Sequence, residues 1–252
     1  MKTVFISGAT SGIGEACAVE FAKNGYQLII SGRRKNRLET LQSSLEKEYN
    51  STILALDFDI RNKEEVEKAT AKIPAHFKPI NVLVNNAGLA AGVSPIQDGL
   101  LSDWDTMIDT NIKGLLYLSK AIIPHLKQGG GGQIINIGSI AGKMAYPNGN
   151  VYCGTKSAVQ AITQGMRIDL LAQQIKVTQV APGAVETEFS LVRLKGDQQA
   201  AKNVYAKYQP LKAQDIANVV YFTTTLPSHV NIDDVLVMPT AQANPYNYRK
   251  QP

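Results

Sequence analysis

The stretch SGATSGIG at residues 7–14 decides the fold, because it ends an apolar run and opens an amphipathic one. A tight turn requires a residue without a Cβ, and a phosphate approaches bare backbone most closely. Gly8, Gly12 and Gly14 supply both properties. The helix that follows presents free N–H groups and positive partial charge to a pyrophosphate. Glycines placed between a first strand and a first helix therefore predict a dinucleotide-binding turn.

Short apolar runs alternate with longer amphipathic runs over the rest of the chain. The apolar runs lack strict alternation with polar residues, which is typical of strands buried on both faces. We expect strands at 3–7, 27–31, 52–57, 82–85, 133–137, 176–181 and 235–238, and helices at 14–24, 34–49, 63–73, 101–126, 151–173 and 213–225. This order predicts an α/β fold: a single Rossmann domain over residues 1–252, with a doubly wound parallel sheet of about seven strands and helices on both faces.

The composition excludes several classes of protein. The 252 residues are 44% hydrophobic and 19% charged, as in an ordinary globular domain. The net charge of +5 is scattered, so we expect no nucleic-acid partner. The two cysteines and three histidines match no metal-binding spacing. Because no stretch resembles a signal peptide or reaches the roughly 18 apolar residues that span a bilayer, we expect a cytoplasmic protein without a membrane partner.

The end of the second predicted strand indicates which dinucleotide binds. An NAD site carries an acidic residue about 20 positions after the glycine turn. Arg34 stands there instead, beside Arg33, and residues 31–37 contain no Asp or Glu. Guanidinium groups bind a 2′-phosphate through charge-assisted hydrogen bonds, whereas a carboxylate would repel it. The sequence therefore predicts NADP(H) as the cofactor; the alternative is that both arginines only begin a solvated helix.

Further cofactor contacts are expected at the carboxyl ends of the third and fourth predicted strands, which meet at the ligand edge of a parallel sheet. Asp59 follows the third strand and could accept a hydrogen bond from the adenine amino group. Small residues after the fourth strand would let the ribose approach the backbone. The expected contacts of this half of the cofactor are Gly8, Thr10, Ser11, Gly12, Ile13, Gly14, Arg33, Arg34, Asp59, Ile60, Asn86, Ala87 and Gly88.

Tyr152 and Lys156 indicate the chemistry. Reduction of a carbonyl by a hydride requires a proton donor, and a tyrosine can serve as that acid, or as the base in oxidation. Lys156 lies four residues further on, hence on the same helical face, and its charge should lower the pKa of Tyr152. Ser139, just past the fifth strand, would hold the substrate oxygen. Alone, the Tyr-Lys pair could equally be an ordinary surface pair.

Taken together, these motifs resemble the short-chain dehydrogenase/reductase family over nearly the whole chain. The matching positions are the glycine turn, residues 85–88 and 152–156, Asn111, Ser139, Pro182 and Gly183. The resemblance implies that Asn111 supports a water linked to Lys156 and that Lys156 reaches the nicotinamide ribose. It also implies that the nicotinamide is bordered by Pro182, Gly183, Val185 and Thr187.

A closer resemblance concerns the NADP-dependent serine and 3-hydroxy acid dehydrogenase group, with its L-allo-threonine dehydrogenases and malonic semialdehyde reductases. WDTMIDTN at 104–111, NIGS at 136–139, GNVY at 149–152, EFSLVR at 188–193 and LPSHVNI at 226–232 carry it. The group implies a homotetramer that acts on L-serine, L-allo-threonine, 3-hydroxypropionate or malonate semialdehyde. Sulfoacetaldehyde would suit the same geometry. An NADP sensor without turnover is the alternative of another class, which the intact Ser139, Tyr152 and Lys156 disfavour.

Two segments are candidates for choosing the substrate. Residues 186–208 interrupt the alternation and could form a lid over the cleft. Arg193 in that segment is the first candidate to bind an acidic group. Arg249, in the polar and aromatic tail 240–252, is the second, acting on a neighbouring subunit. Either arginine could instead be a solvated charge, and the tail could be a loose terminus. The expected substrate contacts are Ser139, Tyr152, Arg193 and Arg249.

Overall fold

The computed structural model describes residues 1–206 and 208–249. Within them the strands, in chain order, are β1 (Thr3–Ser7), β2 (Gln27–Gly32), β3 (Ile53–Asp57), β4 (Val82–Asn85), β5 (Gly132–Ile137), β6 (Ile175–Pro182), β7 (Val185–Glu186), β8 (Leu211–Lys212) and β9 (Asp234–Val237). The end of the predicted tail, residues 250–252, lies outside the described residues.

Seven of these strands form one parallel sheet in the order β3-β2-β1-β4-β5-β6-β9. The strand order reverses direction between β1 and β4, and the carboxyl ends of strands at such a switch point border the ligand crevice of open α/β sheets. Strands β7 and β8 pair separately as a short parallel ribbon. The predicted doubly wound parallel sheet is confirmed.

The helices cover both faces of the sheet. They are α1 (Gly12–Lys23), α2 (Lys35–Tyr49), α3 (Lys63–Ala71), α4 (Leu101–Ile108), α5 (Leu115–Gln128), α6 (Asn150–Asp169), α7 (Phe189–Arg193), α8 (Gln198–Tyr205) and α9 (Ala213–Thr225). Successive side chains of a strand point to opposite faces. Val4 and Ile6 accordingly pack in a core with α1, α2 and α9, whereas Phe5 packs with α3, α5 and α6.

Two segments differ from the sequence-based expectation. The single helix expected at 101–126 is α4, then a π-helical segment at Asp109–Gly114, then α5. A π segment adds a residue to the helical turn, and such segments occur frequently at functional sites. Gly114 ends it against Ile60, where a Cβ would come within 2.9 Å of the isoleucine side chain. The predicted lid segment 186–208 holds the last residue of β7, then α7 and α8, so its described residues include secondary structure that the sequence analysis does not predict.

Some features of the described ranges bear on the function classes considered above. No helix in residues 1–206 or 208–249 is both long and apolar enough to cross a membrane. In those same ranges, His, Cys, Asp and Glu side chains form no cluster of three or more that could hold a metal ion. Cys17 and Cys153 are buried free thiols.

Candidate active site

A cavity of about 480 Å³ opens at the carboxyl ends of the central strands. Its volume falls in the range of about 300–1,000 Å³ that is usual for ligand sites. All the site residues expected from the sequence line it except Gly14, Asn111 and Arg249. Parallel strands end at one edge, so residues that are far apart in the chain meet there. The structure thus brings the expected cofactor and reaction residues to one cleft.

The glycine turn has the geometry that its sequence requires. Gly8 and Gly12 have φ angles of +66° and +58°, a region that favours glycine. A Cβ on Gly14 would lie 2.3 Å from the carbonyl oxygen of Gly8, so Gly14 serves the packing of α1 on the turn and does not line the cavity. The amide of Asn86 donates to the carbonyl oxygens of Ser7 and Gly8 at 3.0 and 3.1 Å, which fixes the turn against the end of β4.

Arg34 is tied to this turn by several hydrogen bonds. Its Nε and Nη2 donate to the hydroxyl of Thr10 at 2.9 and 2.6 Å, and Nη2 also donates to the hydroxyl of Ser11 at 2.7 Å. Arg33 is more exposed, and its nearest carboxylate, Asp59, lies 3.9 Å away. Both guanidinium groups therefore line the cavity beside the glycine turn.

No local pattern in the sequence indicates the carboxylate that faces these arginines. Glu188 accepts a hydrogen bond from Nη1 of Arg34 at 2.8 Å, and two from Nη1 of Arg37 at 2.8 and 2.9 Å. These hydrogen bonds, first Arg34 and then Arg37, hold the pKa of the Glu188 carboxyl below its usual range. Glu188 immediately precedes α7, so this ion cluster joins the lid segment to the start of α2.

Asp59 lines the cavity, but its carboxylate already has a partner. Both oxygens accept hydrogen bonds from Arg61, the shortest at 2.6 Å. Partial burial raises the pKa of Asp59, and the stronger opposing effect of Arg61 brings it below its ordinary value. Any contact with an adenine amino group would have to share this carboxylate with Arg61.

Ser139, Tyr152 and Lys156 meet on the other side of the cavity, at the end of β5 and the start of α6. The hydroxyl of Ser139 accepts a hydrogen bond from the backbone N–H of Ala141 at 3.1 Å. Tyr152 and Lys156 are both buried, with exposed fractions of 8% and 7%. The Nζ of Lys156 donates to the carbonyl oxygen of Ile137 at 2.8 Å. The strand end and the first turns of one helix therefore hold all three side chains.

The electrostatics of this group differ from the sequence-based expectation. Burial raises the pKa of Tyr152, and Tyr146 raises it further, while the Ser139 hydroxyl and the Arg193 charge lower it less strongly. Burial also lowers the pKa of Lys156 to about 8. The net shift of the Tyr152 pKa is therefore upward, opposite to the expected direction, because desolvation of the phenolate dominates.

Asn111 stands in the π-helical segment, close to Lys156 but without a hydrogen bond to it. Its amide donates to the backbone oxygen of Leu89 and to the Thr155 hydroxyl, and its oxygen accepts from the Leu89 N–H. A Cβ on Gly88 would be 3.2 Å from the Asn111 oxygen and 3.5 Å from the Lys156 nitrogen. Asn111 thus joins the loop after β4 to α6. Because Gly88 has no side chain, this loop can approach both Asn111 and Lys156.

The segment after β6 borders the same cavity. Pro182, Gly183, Val185 and Thr187 line it, and their contact with the nicotinamide stays a prediction. The side chain of Thr187 packs on Gly12, where a Cβ would come within 3.1 Å of it. Its hydroxyl accepts a hydrogen bond from the backbone N–H of Phe189 at 3.2 Å, at the start of α7.

Arg193 lies at the other end of α7 and enters the cavity beside Tyr152. Its Nη1 donates to the hydroxyl of Tyr146 at 3.0 Å, and its Cζ is 6.0 Å from the Tyr152 ring centroid. The Nε of Arg193 is buried without a hydrogen-bond partner in the described structure. A buried donor of this kind is costly to leave unsatisfied, which marks a place for an acceptor. Arg249, in contrast, is exposed and does not line the cavity of its own chain.

The described part of the tail, residues 240–249, folds over its own cleft. The Oε1 of Gln242 accepts from the Ala184 N–H at 2.8 Å, and Nε2 donates to the Tyr248 hydroxyl at 3.0 Å. The ring of Tyr248 stacks on Tyr208 with centroids 4.4 Å apart. Gln242, Tyr208 and Tyr248 all line the cavity, although none of them is among the substrate contacts expected from the sequence. The tail is therefore packed rather than loose over these residues.

Comparison with known proteins agrees with this geometry. The family model for short chain dehydrogenase matches residues 2–197. The chain is 46% identical to sulfoacetaldehyde reductase 2 of Chromohalobacter salexigens, over 95% of each chain. It is 43% identical to the NADP-dependent 3-hydroxy acid dehydrogenase YdfG of Salmonella typhi, over 95% of this chain and 96% of that one. A solved structure, the closed form of serine dehydrogenase complexed with NADP+, superposes with a TM-score of 0.92 at 40% identity and covers 99% of this chain and 100% of that chain.

These matches extend well beyond the glycine turn, which many nucleotide-binding folds share. They cover the segments that bring Ser139, Tyr152 and Lys156 to one cleft. The predicted family and its reaction class, oxidoreduction at a hydroxyl-bearing carbon, are confirmed. The chain belongs to the short chain dehydrogenase family.

Proposed function

We propose that this protein transfers a hydride between NADP and a small hydroxy acid or the corresponding aldehyde, and that Arg193 binds the acidic group of that substrate. The observation that carries this proposal is the buried Nε of Arg193, which has no partner in the described structure and lies beside Tyr152 in the cavity. An anionic group there would satisfy that donor and compensate the guanidinium charge. L-Serine, L-allo-threonine, 3-hydroxypropionate and malonate semialdehyde carry such a group close to the reacting carbon.

The residues proposed to hold NADP(H) form a cradle that fits it. The left-handed turn at Gly8 and Gly12 leaves bare backbone at the start of α1, and Arg33 and Arg34 offer guanidinium groups for a 2′-phosphate. NADP(H), when bound, supplies or accepts the hydride. The contacts proposed from the cavity lining are Gly8, Thr10, Ser11, Gly12, Ile13, Arg33, Arg34, Asp59, Ile60, Asn86, Ala87, Gly88, Tyr152, Lys156, Pro182, Gly183, Val185 and Thr187.

Three side chains are proposed to carry the proton chemistry. Ser139 binds the reacting oxygen, and Tyr152 donates a proton to that oxygen during reduction. Tyr152 carries its proton at neutral pH, as a general acid must before it donates. Lys156 orients the cofactor ribose and returns a proton toward Tyr152. Asn111, through Leu89 and Thr155, positions the loop and helix between which Lys156 lies.

A sulfonate is the second candidate for the acidic group, because a guanidinium binds either anion and a relative at 46% identity is named sulfoacetaldehyde reductase 2.

We also propose that the protein is a cytoplasmic homotetramer, in which Arg249 reaches a neighbouring subunit. Phe222 on α9 and Leu236 on the edge strand β9 support assembly, since they are 53% and 44% exposed. Light scattering coupled to gel filtration measures the mass of the assembly.

The experiment that tests the function follows NADPH oxidation with malonate semialdehyde, sulfoacetaldehyde and neutral propanal, and NADP reduction with L-serine and L-allo-threonine. Arg193→Gln should raise KM for the preferred anionic substrate about 100-fold, since loss of a desolvated charge pair costs on the order of 3 kcal/mol. KM for propanal should change less than twofold. Arg249→Gln is the matched variant. If Arg249→Gln raised KM strongly and Arg193→Gln did not, the acidic group would be bound by Arg249 from the tail of a neighbouring subunit. Tight NADPH binding without turnover of any compound would favour a sensor.

A further inference from the structure

Glu188 fills the position that faces two guanidinium groups at the cofactor end of the cleft. Its Oε2 lies 2.8 Å from Nη1 of Arg34, and its Oε1 lies 2.8 Å from Nη1 of Arg37. The carboxylate is 154 residues away from Arg34 in the chain and comes from the lid segment, not from the cofactor-binding strands. The protein therefore supplies its own anion to a pair of arginines beside the dinucleotide turn.

The remaining donors of Arg34 fix this guanidinium in place. Nε and Nη2 are bonded to the hydroxyls of Thr10 and Ser11, so Nη1 is the part that faces Glu188. A 2′-phosphate carries more negative charge than a carboxylate and offers three acceptor oxygens instead of two. Glu188 and such a phosphate would repel each other if both occupied this position. The phosphate and the Glu188 carboxylate would therefore compete for this guanidinium.

We propose that the Glu188 carboxylate competes with the 2′-phosphate of NADP(H) for Arg34 and Arg37, and that the phosphate displaces it and releases the start of α7. NAD(H), which has a hydroxyl at that position, leaves the Glu188 contacts in place. This inference rests on the proposed NADP-dependent function. It assigns Glu188 as a residue that determines cofactor affinity and links cofactor type to the lid.

The position of α7 gives this displacement a consequence at the substrate end. Glu188 precedes the helix and Arg193 ends it, and five helical residues span only about 7.5 Å. The far end is held separately, because the backbone oxygen of Arg193 accepts from the Gly92 N–H at 3.0 Å. Release at Glu188 would thus let α7 pivot about the segment that positions Arg193.

The test measures binding of adenosine 2′,5′-bisphosphate and 5′-AMP by titration calorimetry, so it does not depend on turnover. Glu188→Gln should bind the bisphosphate about three- to tenfold more tightly than the wild type, because exposed ion pairs of this kind are individually weak. Binding of 5′-AMP should not change, which also shows that the variant is folded. Glu186→Gln, an exposed carboxylate outside this cluster, is the matched control and should behave like the wild type.

Two further measurements follow the release of α7 and the role of the arginines. The bisphosphate, but not 5′-AMP, should increase hydrogen exchange of the α7 amides in the wild type, and Glu188→Gln should show this increase without ligand. Arg37→Gln should weaken bisphosphate binding. In the Arg37→Gln background, Glu188→Gln should increase the affinity for the bisphosphate less than it does in the wild type.

Either unchanged or weaker bisphosphate binding by Glu188→Gln overturns the competition, since weaker binding would mean that the carboxylate organises the arginines for the phosphate. If the bisphosphate does not change the hydrogen-exchange rate of the α7 amides, the proposed release of α7 is overturned. A wild-type protein that binds the bisphosphate no more tightly than 5′-AMP would refute the proposed NADP preference itself. If the wild type binds the bisphosphate more tightly than 5′-AMP but Glu188→Gln changes neither affinity, only the role of Glu188 is refuted and the NADP preference stands.

Discussion

The guanidinium of Arg193 lies over the ring of Tyr146, with its Cζ 5.4 Å from the ring centroid, and donates a hydrogen bond to the hydroxyl of the same residue. A tyrosine that contacts an arginine in both ways restricts the rotamers of the arginine without removing its charge. Tyr146 itself has room because Gly149 lacks a side chain, and a Cβ there would lie 2.3 Å from the tyrosine ring. Tyr146 is thus the residue that positions the proposed anion-binding group.

Tyr146→Phe should therefore raise KM for the acidic substrate about three- to tenfold and leave kcat nearly unchanged. The variant keeps the ring contact but removes one hydrogen bond that restrains the guanidinium, and the net worth of an ordinary hydrogen bond is about 0.5–1.5 kcal/mol. Steady-state kinetics with the acidic substrate and with propanal provide the measurement. A fall in kcat for both substrates with an unchanged KM would contradict this role, because it would place Tyr146 in the proton chemistry of Tyr152.

Lys156→Met should stabilise the fold at pH 7 while abolishing turnover. Burial lowers the pKa of Lys156 from its usual 10.5 to about 8, a penalty of about 3 kcal/mol on the charged folded state. Loss of the hydrogen bond to the Ile137 carbonyl offsets about 1 kcal/mol of the gain. Urea unfolding should give a net increase of about 2 kcal/mol in the free energy of unfolding.

The stability gain of this variant should depend on pH in a defined direction. Below pH 8 the lysine is charged in both states, so the wild type bears the full penalty. As the pH rises from 8 to 10.5, the unfolded lysine still binds its proton while the folded one has lost it, so the wild type recovers stability. The advantage of the Lys156→Met variant should vanish by about pH 10.5. The exposed Lys68→Met is the control, and a pH-independent gain of Lys156→Met would contradict the burial penalty.

Thr10→Val should weaken NADPH binding about tenfold and leave NADH binding unchanged. The Thr10 hydroxyl accepts two hydrogen bonds from Arg34, and valine has the same shape without an acceptor. Without this anchor Arg34 pays a larger entropic cost when it binds a phosphate. Fluorescence titration of both nucleotides gives the affinities, and Thr10→Ser should retain most of the NADPH affinity. Equal losses for NADPH and NADH would indicate damage to the turn rather than to the arginine.

The fold and the general position of the site follow from local patterns in the sequence. Gly8, Gly12 and Gly14 indicate the turn because backbone conformation is a local property. The meeting of Ser139 with Tyr152 and Lys156 follows from parallel topology, which places strand ends and helix starts at one edge. The bounds of α6 and the separate π-helical segment after α4 are harder to predict from the sequence. For the π-helical segment the reason is that one inserted residue in a helical turn leaves the apolar pattern almost intact.

Contacts that depend on tertiary structure could not be obtained in this way. The residues around Glu188 in the sequence do not distinguish it from any other solvated carboxylate. No neighbouring motif indicates that it pairs with Arg34 and Arg37. The net shift of the Tyr152 pKa is upward, opposite to the expected direction, for a similar reason, since the burial that raises it depends on the surrounding packing. The tail has no periodicity from which a docking face could be deduced, although its Gln242 and Tyr248 line the cavity.

Gln242→Leu should detach the tail from the cleft. The Gln242 side chain is 5% exposed, and it is the only described side chain that bonds both the Ala184 N–H and the Tyr248 hydroxyl. Leucine would leave the Ala184 N–H without this acceptor, at a cost of about 1–3 kcal/mol. Hydrogen exchange of residues 241–249 should increase, and KM should rise because Tyr248 no longer closes the cavity. Gln242→Glu keeps an acceptor for Ala184, so its tail should be protected more than that of Gln242→Leu. Equal protection of the tail in Gln242→Leu and the wild type would show that the stacking of Tyr248 on Tyr208 holds the segment by itself.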